Sequence, residues 1–134
     1  MSRRSRAREV AFQVLYQDDL NPNRNPALDE PLLGRLRSED LIQFARDLMA
    51  GARQHRAEID ERLSQEAQNW SLERMAATDR NVLRLAAYEM LFSDTPPRVA
   101  IDEAVELAKR FGGAQSAQFV NGILDKLMHQ KERS

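Results

Sequence analysis

The sequence predicts an all-α protein, and three observations support this class. Apolar residues recur with a helical period along most of the 134-residue chain. No run of β-branched residues alternates with polar residues, as it would in a half-buried strand. The stretch 79–92, DRNVLRLAAYEMLF, is apolar around most of its circumference but too short to cross a bilayer. We therefore expect a buried central helix there, surrounded by the other helices.

The first half of the chain is predicted to contain two amphipathic helices separated by a proline-rich loop. The first spans about 4–19, because its small and apolar residues fall on one face. Three prolines between positions 22 and 31 indicate a loop with at most a short helix within 27–37. The next apolar stripe keeps its helical phase from Leu41 to Leu63. It predicts one long helix over about 39–67, despite Gly51.

The second half is predicted to contain a connector and three helices, with Ser71 as a helix cap inside the connector. The helices cover about 79–93, 98–111 and 117–129, with Ser116 as a cap for the last. Pro96-Pro97 ends the first of them, since the residue before a proline avoids helical angles. Gly112-Gly113 ends the second.

Length and composition indicate a single domain, residues 1–134, made of helical halves 1–70 and 71–134. The chain has no cysteine, which excludes disulfides and thiolate zinc sites and fits a cytoplasmic location. No segment is predicted to be a signal peptide or to span a membrane.

The sequence contains no pattern typical of an enzyme or a metal site. His55 lacks the further Glu-x-x-His pairs that a di-iron bundle needs, so we expect a structural or surface role. Gly112-Gly113 before Ser116 could bind a phosphate at a helix N-terminus. No strand or Gly-Lys-Ser/Thr run precedes these glycines, which favours a simple helix stop. We therefore predict a non-enzymatic protein without metal or cofactor.

Charge is distributed unevenly along the chain. Residues 1–8 carry +4, whereas the net charge of −1 leaves −5 on the remainder; the four basic residues are Arg3, Arg4, Arg6 and Arg8. Such an arm either binds nucleic-acid phosphates or is a solubilising terminus. Phe12 and Tyr16 share a helix face with Arg8. Phe12 fits the core edge equally well, whereas we expect Tyr16 to be exposed and able to stack on an unpaired base.

The last helix and the start of the central helix carry further candidates. Phe119 lies at the rim of an apolar stripe, where spacing favours a core position. Asn121 faces away from that stripe, and Gly122 would allow close helix packing; both are poor helix formers. Asp79 begins the central helix, where a carboxylate complements the helix dipole.

Several stretches together resemble the NusB family of bacterial antitermination factors. They are RRSRAREVAFQVLYQ (3–17), RNVLRLAAYEML (80–91) and, most specifically, VAIDEAVELAKRFG (99–112) with SAQFVNGILDKL (116–127). The likeness is weak over 18–37. It implies an all-α fold of two packed helical bundles. It also implies a protein that, with the ribosomal protein NusE, binds boxA-type single-stranded RNA in nascent ribosomal RNA and helps RNA polymerase read through terminators.

The resemblance also implies roles for individual residues. Tyr16, Phe119 and Asn121 match family positions at the RNA surface, and Glu73 and Asp79 match acidic positions that meet NusE. The arginine-rich, RNA-contacting start of the family corresponds to Arg3, Arg4, Arg6 and Arg8.

The sequence differs from the family at one site residue and allows alternatives for the oligomeric state and the function. Gln115 replaces an acidic residue common in the family. The resemblance allows both a monomer and a homodimer. Two other functions compete with RNA binding by a free-standing factor: a helical protein-interaction module, and a NusB-like domain of a ribosomal RNA methyltransferase.

Overall fold

A computed structural model describes the backbone of residues 2–133 and the side chains of residues 2–130. Within these residues the chain forms α-helices and two 3₁₀ helices, and no strand, which confirms the predicted fold class. The α-helices are α1 (Arg3–Leu20), α2 (Asp29–Leu33), α3 (Glu39–Gln54), α4 (Arg56–Glu66), α5 (Ala77–Phe92), α6 (Pro97–Phe111) and α7 (Ser116–Arg133). The 3₁₀ helices are Pro26–Leu28 and Leu72–Arg74. None of the described helices is long and apolar enough to cross a membrane.

Helix α5 is the central helix that the sequence predicts. It packs against α1, α3, α4, α6 and α7, and its residues Leu83, Ala87 and Met90 are fully buried. Helices α1 and α3 pack against each other and against α5, and α2 packs on α1. Helices α4 and α6 each pack against both α5 and α7. The apolar side chains of both groups form one continuous core. The division into halves at residue 70 stays a prediction.

The predicted single helix over 39–67 is wrong, because the chain leaves helical geometry at His55. This residue has φ −101° and ψ 15°, and it separates α3 from α4. Its ring stacks on Phe92 of α5, with centroids 4.0 Å apart. Backbone hydrogen bonds from His55 to Gly51 and from Ile59 to His55 continue on both sides. The apolar stripe therefore keeps its phase across an interruption of one residue.

Two glycines permit close approaches. A Cβ atom at Gly51 would overlap the ring of Tyr88, so α3 and α5 can lie this close only because Gly51 has no side chain. A Cβ atom at Gly112 would overlap Ser116, whose hydroxyl accepts a hydrogen bond from the N–H of Gly113 at 2.9 Å. The predicted stop after Phe111 is thus confirmed, and Ser116 closes the turn into α7.

A cluster of ion pairs holds the proline-rich segment against the body of the protein. Arg53 of α3 donates to Asp18 of α1 at 2.8 Å and to Asp29 of α2 at 2.9 Å. Arg24 donates to Asp29 at 2.7 Å. Burial alone would raise the pKa of Asp29, but the hydrogen bonds from Arg53 and Arg24 outweigh it and lower the pKa. The segment is therefore held by these ion pairs as well as by the buried side chains of Leu33 and Leu36.

Candidate nucleic-acid and protein interface

The four N-terminal arginines lie on the first two turns of α1. This helix begins after Ser2, whose hydroxyl accepts a hydrogen bond from the N–H of Ser5 at 3.2 Å. Arg3, Arg4 and Arg6 are exposed, and Arg8 is buried. The structure thus presents three of the four basic side chains to an external ligand.

The interpretation of Arg8 as an RNA-contacting residue does not fit its position. Only 4% of Arg8 is exposed, and its guanidinium group donates to both carboxylate oxygens of Glu89 at 2.7 and 2.9 Å. Glu103 lies 3.5 Å away, and Glu89 also accepts a hydrogen bond from Thr95 at 2.8 Å. Because α5 and α6 enclose and neutralise this guanidinium group, Arg8 links three helices instead of facing solvent.

The exposed arginines of α1 divide between two faces. The guanidinium group of Arg4 lies over the ring of Phe44, 4.5 Å from its centroid. Arg3 and Arg6 line a hollow of about 460 Å³ on the adjacent face, together with Arg35 and Arg37 from the loop between α2 and α3. The sequence by itself indicates only a proline-rich connection in this region. We refer to the hollow as the arginine hollow.

Tyr16 is half-buried rather than exposed. Its ring lies nearly parallel to that of Phe12, with centroids 6.2 Å apart, and Phe12 in turn packs against Phe111 at 5.3 Å. Phe12 is buried, so of the two positions that its spacing allowed it occupies the core edge and not the exposed helix face. Tyr16, Phe12 and Phe111 line a groove of about 650 Å³, the tyrosine groove, whose walls include the exposed side chains of Leu20 and Leu28. Its aromatic and aliphatic side chains offer a surface on which a flat base can stack.

Phe119 lines a second aromatic groove, of about 530 Å³, which we call the tryptophan groove. Phe119 is half-buried, and its ring meets that of Trp70 edge-on at 5.6 Å. Asp79 also lines this groove, and its Oδ1 atom is buried without a hydrogen-bond partner among the described residues. Gln115, the position that departs from the family, belongs to the same wall.

Trp70 is a candidate that reasoning from the sequence missed. Its side chain is 56% exposed and lines both the tryptophan groove and a larger one of about 1020 Å³, which includes Glu73. The two acidic positions expected to meet NusE, Glu73 and Asp79, therefore lie in grooves that share Trp70. A large aromatic residue in the polar stretch 68–71, QNWS, was the available signal.

Asn121 is exposed on α7 and is not part of the tryptophan groove wall, so the structure separates it from Phe119. A Cβ atom at Gly122 would meet nothing within 4 Å, which shows that the packing explanation for this glycine is wrong. Asn121 and Gly122 are poor helix formers, and no contact in the described part of the chain explains why they occupy the interior of α7.

The site has the features of a binding surface. Among the described side chains, no group of three His, Asp or Glu residues could hold a metal ion. His55 stacks on Phe92, in the structural role expected for it. The arrangement of basic and aromatic hollows on an all-helical scaffold points to the class of protein: one that binds macromolecules.

Comparison with known proteins identifies the family. The family model described as NusB family matches residues 5–129. The transcription antitermination protein NusB of Anaeromyxobacter dehalogenans is 44% identical over 131 residues, which cover 94% of this chain and 90% of that protein. The chain therefore belongs to the NusB family. Because this family consists of non-enzymatic transcription antitermination factors, the prediction of a non-enzymatic protein is confirmed.

Solved structures agree with the fold. The structure of T. maritima NusB superposes with a TM-score of 0.89 at 38% identity, covering 99% of this chain and 96% of that one. A crystal structure of antitermination factors NusB and NusE in complex with double-stranded RNA matches with a TM-score of 0.86 at 30% identity, over 97% of this chain and 98% of that chain.

Proposed function

We propose that this protein, together with NusE, binds boxA-type single-stranded RNA in nascent ribosomal RNA transcripts. The complex then helps RNA polymerase read through terminators, in the cytoplasm, where bacterial transcripts are made. The protein acts as a scaffold: it supplies positive charge and aromatic surface to the RNA and the acidic residues Glu73 and Asp79 to NusE.

The observation that carries this proposal is the position of exposed arginines beside an aromatic groove. Arg3 and Arg6 line the arginine hollow, and Tyr16 lines the tyrosine groove. Arg35 belongs to the walls of both. Arginines attract phosphates whatever the sequence, and an aromatic ring can stack on an unpaired base. The two features together are typical of proteins that bind single-stranded RNA.

The tryptophan groove supports a protein partner beside the RNA. Exposed tryptophans are common anchors of protein interfaces, and carboxylates beside them can pair with a basic partner. Trp70 lines both the groove that contains Glu73 and the one that contains Asp79, and these two acidic residues match the family positions for NusE. The similar solved complex brings NusB, NusE and RNA together, which supports assigning both partners to this chain.

RNA binding is tested by titrating a labelled boxA RNA with the protein, with and without NusE, over a series of salt concentrations. A scrambled RNA and a duplex of the same length are measured in parallel. We expect salt-sensitive binding that favours the single-stranded boxA sequence and strengthens with NusE. Equal affinity for all three RNAs would contradict the proposed specificity, and no RNA binding would leave a protein-interaction module.

The contribution of α1 is tested with Arg3→Gln/Arg6→Gln. Each lost phosphate contact makes the log–log salt dependence shallower by about 0.7, so we expect a decrease of about 1.4. An unchanged slope would contradict a role for these arginines. Read-through of a terminator downstream of boxA, measured by transcription in vitro with NusE present, then tests whether RNA binding leads to antitermination.

A further inference from the structure

The arginine hollow contains two residues to which neither the sequence nor the family resemblance gives a role. Four of its seven lining residues are arginines, and none is acidic; the lining comprises Arg3, Arg6, Arg35, Leu36, Arg37, Ser38 and Leu41. Half of its positive charge therefore comes from the loop between α2 and α3, whose arginines are more than 28 residues from Arg3 and Arg6 along the chain.

The fold holds this loop in place. Leu36 is buried, whereas Arg35 and Arg37 on either side of it are exposed. Arg35 donates a hydrogen bond to the side chain of Gln13 on α1 at 3.2 Å. On the other side of the hollow, Arg3 donates to the hydroxyl of Ser38 at 3.1 Å. The loop is thus anchored by one apolar side chain and tied to α1 at both edges.

The positive charge of the hollow is largely uncompensated. Among the described residues, no carboxylate lies within 4 Å of the guanidinium groups of Arg6, Arg35 or Arg37. Arg3 approaches Asp40 at 3.4 Å, but both side chains are more than two-thirds exposed, and such pairs contribute little. Many arginines elsewhere in the fold, such as Arg8 and Arg53, are paired with carboxylates. The hollow therefore offers a charge that an anionic ligand can satisfy.

The hollow adjoins the tyrosine groove, because Arg35 lines both. We propose that Arg35 and Arg37 bind the phosphodiester backbone of the RNA whose bases occupy the tyrosine groove. This inference rests on the proposed function and extends it from the first helix to the loop between α2 and α3. The guanidinium groups bind phosphate oxygens through paired hydrogen bonds, which lysines in these positions could not form.

The test compares Arg35→Gln/Arg37→Gln with the wild-type protein in the presence of NusE, using the boxA and scrambled RNAs over the same salt series. We expect a slope shallower by about 1.4, since two phosphate contacts are lost. Affinity should fall by the same factor for both RNAs, because phosphate contacts carry no sequence information. Arg62→Gln/Arg98→Gln, an equal change of charge beside α7, is the matched control and should leave the slope unchanged.

The outcomes separate this inference from the proposed function. An unchanged slope for Arg35→Gln/Arg37→Gln, combined with a shallower slope for Arg3→Gln/Arg6→Gln, would overturn the role of the loop and leave RNA binding intact. An equal loss in the Arg62→Gln/Arg98→Gln control would also overturn it, because the effect would then reflect net charge alone. Failure of the wild-type protein to bind either RNA would overturn the proposed function itself. Circular dichroism checks that every variant is folded.

Discussion

Replacement of Arg8 by methionine should destabilise the protein more than any change at its exposed neighbours. The substitution leaves the carboxylate of Glu89, which is only 1% exposed, with a single hydrogen bond from Thr95. Removing one partner of a buried ion pair typically costs about 3–5 kcal/mol, because the remaining charge stays buried without compensation. For a chain of this length such a loss lowers the melting temperature by roughly 11–18 °C.

Urea unfolding at neutral pH, followed by circular dichroism, measures this loss in the free energy of unfolding. Arg6→Met is the matched control, since Arg6 lies on the same helix turn but is exposed; its unfolding midpoint should not change. A midpoint for Arg8→Met equal to that of the control would refute the argument, because Arg8 would then behave as a surface residue.

The partner residue gives an independent check. Glu89→Gln should destabilise the protein less than Arg8→Met, because Arg8 keeps a second carboxylate, that of Glu103, at 3.5 Å. The double variant Arg8→Met/Glu89→Leu removes both charges and should recover most of the stability, as apolar replacements of buried ion pairs often do. A double variant less stable than Arg8→Met would show that the ion pair itself, and not the unpaired charge, determines the energy.

Three further predictions concern other parts of the fold. Gly51→Ala should lower the free energy of unfolding by about 1–3 kcal/mol, because the added Cβ overlaps Tyr88. Gly122→Ala should raise it by about 1 kcal/mol, because a Cβ there meets nothing and alanine is the better helix former. Urea unfolding measures both changes, and stabilisation by Gly51→Ala would contradict the prediction. The pKa of Asp29 is lower in the folded protein than in the unfolded chain, so its ionised carboxylate stabilises the folded state above the unfolded pKa of an aspartate. The free energy of unfolding should therefore decrease as pH falls below about 4, and it should decrease less steeply in Asp29→Asn. Identical acid transitions of the two proteins would contradict this assignment. Trp70→Ala should weaken NusE binding at least tenfold in calorimetry while RNA binding without NusE is kept; an unchanged NusE affinity would exclude Trp70 from the interface.

The sequence by itself determined the fold class, the central helix and most helix ends. Periodicity reports which face of a segment is apolar, and an apolar face is buried wherever the chain folds compactly. Stretch 79–92 therefore identified α5 as the core, and Pro96-Pro97 and Gly112-Gly113 marked helix ends through local backbone restrictions. These signals act over a few residues, so a single sequence contains them in full.

The tertiary structure decided the partners of charged residues. Arg6 and Arg8 look alike in sequence, yet one faces solvent and the other is buried against Glu89, 81 residues further along the chain. Likewise, His55, at the interruption between α3 and α4, stacks on the ring of Phe92 from another helix.

Some residues of the candidate site could be predicted from the sequence, and others could be found only from the structure. The arginine-rich start of α1 and Tyr16 could be found from composition and helical spacing, because they lie on one element. The positive charge that Arg35 and Arg37 add to the arginine hollow could not be predicted, since it depends on where a loop anchored by Leu36 meets α1. Helical period determines which face of each element is buried, whereas only packing between elements decides which charges meet and which remain available to a ligand.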